Sequence, residues 1–457
     1  MGGSGGGDWQ VPLYGWRDVP PWPTALLAGF QHLLAVFGGI VTAPLIIAAG
    51  MGLSVADTNY LVTSALLVSG IATMIQISSW RGFGSGLLSI QGTSFTFIGA
   101  ILFAWHALPA EQSDGERLGT LFGTIAVAAL VSLLLAGHLH RLARVITPAV
   151  TGATVVLLGA TLVLSTGRNL YRVFQQAGSS AEALEALLLA AAVLVVTLLL
   201  ALWRNPWCRM CAILGGLGAG ALLALALGKI DTAPLGQLDW FFLPEPLRYG
   251  LGFDWTAFLV IMPIFLVTAM ESVGDLTATQ ALSRLPTSGP AYWARVRGGV
   301  MADAFNSLLA ALLATFPNTT FSQNNGVIRL TGIASRHIGF IVAGMLVLLG
   351  ALPLVAGVFQ IIPPPVIYGA TLLMFAMIAL TGFNILRSAE LSRRGWWVAG
   401  GGLLGGLVFG TAAWLADGLP DQLRLLLGFP VSSGALCAIV LEWLLPERLG
   451  EPQPAGL

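Results

Sequence analysis

Long apolar stretches recur along the whole chain. Each is long enough to cross a bilayer as a helix, because ~30 Å of hydrocarbon needs ~20 residues. Only 9% of the 457 residues are charged, whereas a soluble chain carries roughly 25%. That is too little charge to cover a surface in water, so the sequence predicts an all-α polytopic membrane protein. Its predicted spans are 24–48, 58–79, 118–137, 146–165, 182–203, 208–228, 254–275, 297–316, 337–361, 363–386, 395–415 and 428–445.

Two further segments, 84–104 and 317–335, have the length of a span but carry Gly, Ser, Thr, Asn or Gln at their centres. With them the chain has fourteen predicted transmembrane segments, of which the third and the tenth are interrupted by short extended stretches. An even number of passages leaves both termini on one side, as tails formed by residues 1–23 and 446–457. The glycine-rich start MGGSGGG is excluded from this fold prediction.

The distribution of basic residues supports this count. If the N-terminus is cytoplasmic, 15 of the 21 Lys and Arg residues fall on the cytoplasmic side, as the positive-inside rule requires. The other six lie opposite, at Arg117, Arg168, Arg172, Lys229, Arg248 and Arg424. We therefore expect a multi-pass protein of the plasma or inner membrane with both termini in the cytoplasm.

The two polar segments occupy corresponding places in two halves of the chain. SIQGTSF begins at Ser89 and FSQNNGV at Phe321, about 230 residues apart, as are the starts of the first and eighth spans. The halves are 24–228 and 254–445, joined by an extracytoplasmic loop at 229–253. Each half has seven passages, an odd number, so the second half is inverted relative to the first. Paired interruptions of this kind indicate a transporter binding site, because irregular backbone cannot face lipid; the alternative is two polar helices packed in the interior.

Four of the ionisable residues inside predicted spans are candidate functional groups, because such groups are costly there and usually functional. Glu271 and Asp275, in MESVGD, share one helix face because they are four residues apart. Asp303 lies early in the ninth span, and His32 lies inside the first. Asp303 is equally compatible with a structural hydrogen-bonding role, and His32 with a satisfied interior histidine.

The polar residues of 317–335 suit a planar heterocycle. The Gln323 amide offers one acceptor and two donors in a plane, and the Glu271 carboxylate accepts two adjacent N–H groups. Phe95 is placed to stack on a ring. A half-helix starting near Gly326 or Ser94 would add unpaired backbone N–H donors. The two adjacent amides, Asn324 and Asn325, are expected to support the site or cap that half-helix.

Other classes of function receive little support. The net charge is zero, which gives no indication of a nucleic-acid partner. Cys208 and Cys211 form a CxxC pair, but no further Cys or His lies near them to complete a structural zinc site. No HExxH-like set indicates an intramembrane enzyme. We therefore expect neither an enzyme nor a cofactor.

Several motifs resemble those of the nucleobase–ascorbate transporter family, also called nucleobase:cation symporter family 2. QNNGVIRLTG at 323–332 fits the signature of that family. The signature begins with Gln or Glu, then has Asn, any residue and Gly. After four further residues it has Thr, followed by Arg, Lys or Gly. QH at 31–32, GTSF at 92–95, ESVGD at 271–275 and the context of Asp303 fit as well, in the same order. The resemblance covers nearly the whole chain.

This resemblance implies core and gate domains, an elevator-like movement of the core, and a homodimer in the lipid bilayer. It also implies the role of each motif residue. The residues expected to bind or line the substrate are Glu271, Gln323, Phe95, Ser94, Ser322, Gly39 and Asn324, and those expected to support proton coupling or the binding network are Asp303, Asp275, His32, Asn325 and Gly326.

The substrate implied by the resemblance is an oxopurine. Gln323 with Asn325, and Asp at 275, resemble the xanthine and urate branch, whereas uracil-type members tend to carry Glu at the position of Gln323. We expect proton-coupled uptake, with Glu271 as the first candidate for the proton and Asp303 as the second; sodium coupling remains open. The alternatives are a uracil or pyrimidine symporter of the same family and an anion exchanger on the same fold. Arg329 departs from the small or amide residues common at its position.

Overall fold

The apolar segments form helices, since a helix satisfies its own backbone hydrogen bonds inside lipid. The computed structural model describes residues 12–109, 111–139, 147–415 and 421–446. The elements of the first half, with a 3₁₀ turn at Phe95–Phe97 between β1 and α3, are α1 (Trp22–Met51), α2 (Val55–Ser78), β1 (Gln91–Thr93), α3 (Ile98–Ala107), α4 (Asp114–Ala136), α5 (Pro148–Gln176), α6 (Ser180–Leu202), α7 (Pro206–Met210) and α8 (Ala212–Ala226).

The second half repeats this order of long helices around a short strand. A connection that contains a 3₁₀ turn, Ala233–Gln237, leads into it. Its elements are α9 (Trp255–Leu282), α10 (Pro290–Leu312), β2 (Asn318–Thr320), α11 (Gln323–Thr331), α12 (Arg336–Gly350), α13 (Pro353–Gln360), α14 (Pro364–Ser388), α15 (Arg393–Leu415), α16 (Asp421–Gly428) and α17 (Pro430–Leu444).

Among the described residues, eight helices are long and apolar enough to cross a membrane, judged by length and composition. They are α1, α2, α4, α5, α6, α9, α14 and α15. A ninth is counted if α12 and α13, which meet at a bend of 74°, form one span. The protein is therefore a multi-pass, predominantly helical membrane protein, while its fourteen-span inverted arrangement stays a prediction.

Several predicted spans differ from the structure, among them 146–165, whose helix α5 continues to Gln176, and 297–316, whose helix α10 starts at Pro290. The segment 337–361 is not one straight helix, because α12 ends at Gly350 and Pro353 starts α13 in a new direction. The segment 208–228 contains a break at Cys211, between α7 and α8. Helix α9 continues seven residues beyond the predicted end at 275, to Leu282. Glu271 and Asp275 therefore lie well inside a helix rather than near its end.

The two polar segments meet in the interior. β1 and β2 pair antiparallel, with Gln91 opposite Thr320, Gly92 opposite Thr319 and Thr93 opposite Asn318. The pairing continues at both ends, where Ser94 N–H donates to the Pro317 carbonyl (2.9 Å) and Phe321 N–H donates to the Ile90 carbonyl (3.0 Å). The prediction of interrupted segments is confirmed, and the alternative of two continuous polar helices is wrong.

The described part of the predicted N-terminal tail lies against the ends of these segments. Tyr14 N–H donates to the Gly332 carbonyl (3.2 Å), and Ala334 N–H donates to the Tyr14 carbonyl (2.9 Å). Trp16 Nε1 donates to the Gly86 carbonyl (2.5 Å). Residues 12–20 thus connect the end of the second polar segment with the start of the first. Residues 1–11 of this tail, residue 146 and residues 447–457 of the C-terminal tail lie outside the described residues.

Small residues allow α5 and α14 to pack closely, as is common where helices associate in lipid. At Gly382 of α14, an added Cβ would lie 2.5 Å from the Val156 nitrogen and 2.9 Å from the Gly152 carbonyl oxygen, both in the backbone of α5. Backbone cannot move aside as a flexible side chain can. Glycine is therefore required at this crossing for reasons of space.

We expect Gly382→Ala to destabilise the protein by about 1–3 kcal/mol, because the new methyl group would force the two helices apart. Gly344→Ala is the matched control. Gly344 also lies inside a helix, but an added Cβ there meets nothing within 4 Å. The apparent unfolding temperature of both variants in detergent measures the effect, and equal temperatures would contradict a close α5–α14 contact.

Candidate functional site

A cavity of about 550 Å³ lies beside the crossing of the two strands. Its walls come from both polar segments and from α5, α9 and α14. We call it the central cavity. It brings together six residues that the sequence analysis named as site residues: Ser94, Phe95, Glu271, Asp275, Ser322 and Gln323.

A second cavity of about 560 Å³ shares part of its lining with the central cavity. Phe95, Ser322 and Gln323 line both cavities. Gly326 and Arg329 line only the second, on the next turns of α11. The start of α11 therefore borders both cavities, and Gln323 lines both of them.

The two carboxylates of the central cavity are each held by a threonine from a different polar segment. Thr96 Oγ1, just after β1, donates to Glu271 Oε2 (3.1 Å). Thr320 Oγ1, the last residue of β2, donates to Asp275 Oδ2 (3.1 Å). Both acids lie on α9 four residues apart, as predicted. The carboxylates are thus oriented by the strand crossing and not by each other.

The third acid, Asp303, does not line the central cavity. Its side chain is buried behind the strands, where Gln76 Nε2 donates to Oδ1 (3.1 Å) and Ser272 Oγ donates to Oδ2. Ser272 Oγ also lies 3.2 Å from Thr319 Oγ1, on β2. Asp303 is therefore connected to the central cavity through hydroxyl groups rather than by direct exposure.

Two of the predicted site residues, Asn324 and Gly39, lie beside the cavities rather than in their walls. Asn324 is buried, and its Nδ2 donates to the Leu88 carbonyl (2.5 Å), which joins α11 to the first polar segment. An added Cβ at Gly39 would lie 2.6 Å from the Phe321 ring and 3.3 Å from the Phe95 ring. Both residues are thus placed to shape the site through the groups they contact.

His32 and Asn325 also contact the site indirectly. His32 is completely buried and lies against the Asn324 side chain. Asn325 Oδ1 accepts a hydrogen bond from Thr279 Oγ1 (2.6 Å), and its Nδ2 donates to the Asp275 carbonyl (3.3 Å). Asn325 therefore ties α11 to α9 beside Asp275.

The predicted start of the second half-helix is wrong by three residues. α11 begins at Gln323, with Ser322 before it, and Gly326 lies inside its first turns. In this first turn Asn324 N–H donates to the Phe321 carbonyl (3.1 Å) and Asn325 N–H donates to the Ser322 carbonyl (3.0 Å), so these two groups are not the unpaired donors that the sequence analysis predicts. In the first half, Ser94 precedes a 3₁₀ turn and α3 starts only at Ile98.

The sequence analysis missed the hydroxyl and amide residues that hold the acids, namely Thr96, Thr320, Thr319, Ser272 and Gln76. Thr96 directly follows the predicted residue Phe95, and Ser272 directly follows Glu271, so their places in these motifs could have identified them. Gln76 gave none, because it lies in an otherwise ordinary apolar span and meets Asp303 only in the folded chain.

The central cavity can bind a flat polar ring. Phe95 is fixed between Phe321 and Phe375, with ring centroids 6.2 Å and 6.4 Å away. Glu271 and Gln323 supply acceptors and donors on the same cavity wall. Among the described residues, no group of three or more His, Cys, Asp and Glu side chains is placed to hold a metal ion. Cys208, Cys211 and Cys437 are free thiols.

Comparison with known proteins adds a family and relatives. The profile of the family described as "Permease family" matches residues 23–409. The chain is 39% identical to the xanthine permease XanP of Escherichia coli K12, covering 95% of both chains. It is 37% identical to XanQ of the same organism, covering 94% of this chain and 93% of that one. A putative purine permease of Clostridium perfringens is 32% identical, covering 95% and 93%.

Two solved structures share the fold at low sequence identity. The transmembrane domain of a cyanobacterial bicarbonate transporter, BicA, superposes with a TM-score of 0.57 at 14% identity, covering 95% of this chain and 100% of that one. The murine anion transporter Slc26a9, in its inward-facing state, gives 0.61 at 11% identity, covering 93% and 69%. These similarities show the fold alone.

We expect Gln76→Leu to lower the free energy of unfolding by about 1–3 kcal/mol, because it leaves two buried groups without their partner. These are Asp303 Oδ1 and the Ser85 N–H, which donates to Gln76 Oε1 (3.3 Å). The same change in an Asp303→Leu background should cost less, since one orphaned group is gone. Denaturation with SDS in mixed micelles measures both. An equal loss of unfolding free energy in the two backgrounds would contradict the Gln76–Asp303 contact. The control is Gln176→Leu, at an exposed position.

Proposed function

Because the chain belongs to the permease family matched above, the nucleobase–ascorbate transporter family, we propose that it carries a purine nucleobase: xanthine, urate or a related oxopurine. The observation that carries this proposal is that Glu271 and Gln323 line one cavity together with Phe95. As a permease the protein is a transporter and not an enzyme.

An oxopurine fits the chemistry of the cavity. Its edges alternate N–H and C=O groups, which an amide and a carboxyl group can pair with side by side. Its faces are flat and apolar, and Phe95 would stack on or contact one of them. Ser94 and Ser322 would complete the wall with their hydroxyl groups.

We expect transport to be coupled to protons. Glu271 is the first candidate for the proton, because it lines the cavity and a neutral carboxyl group can both donate to and accept from the base. Asp303 is the second candidate, acting through Ser272 and Thr319 rather than by contact. Coupling to sodium is the alternative.

The transport movement proposed is that of an elevator. The two crossing segments and the helices around them would form a core domain that moves against a gate domain containing α5 and α14. The proposal includes fourteen spans in two inverted halves, a homodimer, cytoplasmic termini and residence in the plasma or inner membrane. The paired strands in corresponding places of the two halves support it.

Two alternatives differ from this proposal in chemistry. A uracil symporter of the same family would use the same cavity for a smaller ring. An anion exchanger on the same fold is the second alternative, and the structural neighbours at 14% and 11% identity support only the shared fold. However, the residues that line the central cavity include two carboxyl groups and, within the described chain, no Lys or Arg to attract an anion.

Uptake into proteoliposomes tests the substrate. We expect labelled xanthine or urate to accumulate, with uracil and adenine as weaker competitors, and Glu271→Gln or Gln323→Ala to reduce uptake at least about tenfold, the effect of losing roughly 1.4 kcal/mol of binding. The matched controls are Glu111→Gln and Gln176→Ala, the same substitutions at exposed positions. No uptake of any base, or wild-type affinity in both site variants, would refute the proposal.

A proton gradient tests the coupling. We expect an inward gradient to drive accumulation of the base above its outside concentration, because the proton enters with the base and is released inside before the empty carrier returns. A protonophore should abolish this accumulation. The Glu271→Gln variant should at most exchange base for base across the membrane, at a rate that does not depend on the proton gradient. Accumulation that follows a sodium gradient and ignores the protonophore would instead assign the coupling to sodium.

A further inference from the structure

The second cavity has a charge opposite to that of the central cavity. Arg209 on α7 and Arg329 in the last turn of α11 line it, and within the described chain no Asp or Glu does. The central cavity is lined by Glu271 and Asp275 and by no described Lys or Arg. Gln323 lines both cavities. The same neutral amide therefore belongs to an acidic space and to a basic one.

The two arginines come from different halves of the chain, so only the folded protein brings them to one cavity. The positive-inside rule accounts for basic residues near the cytoplasmic ends of helices, and a cation in the last turn of a helix is favoured by the helix dipole. Neither effect accounts for the convergence of Arg209 and Arg329 on one cavity. A guanidinium group offers five N–H donors in a planar fork and no acceptor. The pair therefore suits a flat, negatively charged ligand.

The rest of the wall suits an organic ligand rather than a small inorganic anion. Phe95 lines the cavity, and apolar side chains of α8 and α14 complete much of it, namely Ile213, Leu373, Met374, Met377 and Ile378. A volume of about 560 Å³ with a largely apolar wall and a few polar groups is typical of a site for a small organic molecule. The cavity thus combines apolar contacts for a ring with donors for a negative charge.

We propose that the second cavity is a binding subsite for the ionised form of an oxopurine, whose negatively charged edge Arg209 and Arg329 bind. This inference rests on the proposed function and narrows its substrate. An oxopurine that is an anion near neutral pH, such as urate, gains more from the two arginines than one that is largely neutral, such as xanthine.

The opposite charges of the two cavities match the two kinds of edge on such a ligand. An ionised oxopurine has lost one ring proton, but it keeps N–H groups on its other edges. Those N–H groups can donate to Gln323 and, in the central cavity, to Glu271, while the charged edge accepts from a guanidinium group. A cavity lined by charge of one sign also raises the local concentration of a ligand of the other sign. The arginines would therefore select the ionised base at the same amide that serves the central cavity.

Equilibrium binding to the purified full chain in detergent tests the subsite, because both sides of the protein are then accessible. Unlabelled urate and unlabelled xanthine each displace labelled xanthine in slightly acidic buffer, where urate is an anion and xanthine is largely neutral. We expect Arg209→Gln and Arg329→Gln each to raise the ratio of the urate to the xanthine dissociation constant about tenfold, the scale of one lost charged hydrogen bond. Arg329→Lys keeps the charge and should restore part of the preference.

Arg393→Gln is the matched control, because Arg393 is exposed and lines neither cavity. It removes the same charge, and we expect it to leave the ratio unchanged. Added salt should reduce the urate preference of the wild type, because ions screen the attraction between exposed charges. A purely structural role of the arginines would not produce this dependence on salt.

The outcomes separate this inference from the proposed function. A ratio raised in both Arg→Gln variants and unchanged in Arg393→Gln supports the subsite. A ratio unchanged in both variants, with both bases still bound, overturns the subsite and leaves the proposed function standing. Displacement of urate by an equal concentration of bicarbonate in the wild type would identify a general anion site and would also overturn it. If neither base binds the wild type, the proposed function fails, and this inference fails with it.

Discussion

The antiparallel pairing of β1 and β2 is the constraint on which the rest of the structure depends. Inside a membrane an unpaired peptide group costs several kcal/mol, so a helix can be interrupted only if another segment supplies the missing hydrogen bonds. Here each interrupted segment supplies them to the other, from Ser94 with Pro317 at one end to Ile90 with Phe321 at the other. Because the bonds are mutual, neither interruption is stable without its partner.

The crossing also organises the acids. Thr320, at the end of β2, and Thr96, in the 3₁₀ turn after β1, hold Asp275 and Glu271 beside the central cavity, whereas Thr319 contacts Ser272, the hydrogen-bond partner of Asp303. Alternation of side chains along a strand thus separates a pair of carboxylates that face a large cavity from a single carboxylate in the wall of a small polar cavity behind the strands. One short sheet creates two polar compartments with different access.

How well the sequence predicted each residue depended on whether its role is local or long-range. The interruptions were visible because Gly, Ser, Thr and Asn gather within 84–104 and 317–335, and the spacing of Glu271 and Asp275 placed both on one face. The start of α11 was misplaced by three residues, although Ser322 is of a residue type preferred just before a helix; in the structure its side chain makes no capping hydrogen bond. Gln76 was missed, since an isolated polar residue in an apolar span does not reveal its partner.

The sequence by itself determined that the chain spans a membrane, that two segments are interrupted, and which acids lie within the bilayer, because composition and spacing act locally along the chain. Only the tertiary structure decided which groups satisfy these acids and which cavity each one faces. Asp303 and Glu271 look alike in the sequence, as acids flanked by apolar residues. They differ because one packs behind the strand pair and the other in front of it, and that depends on contacts between residues far apart in the chain.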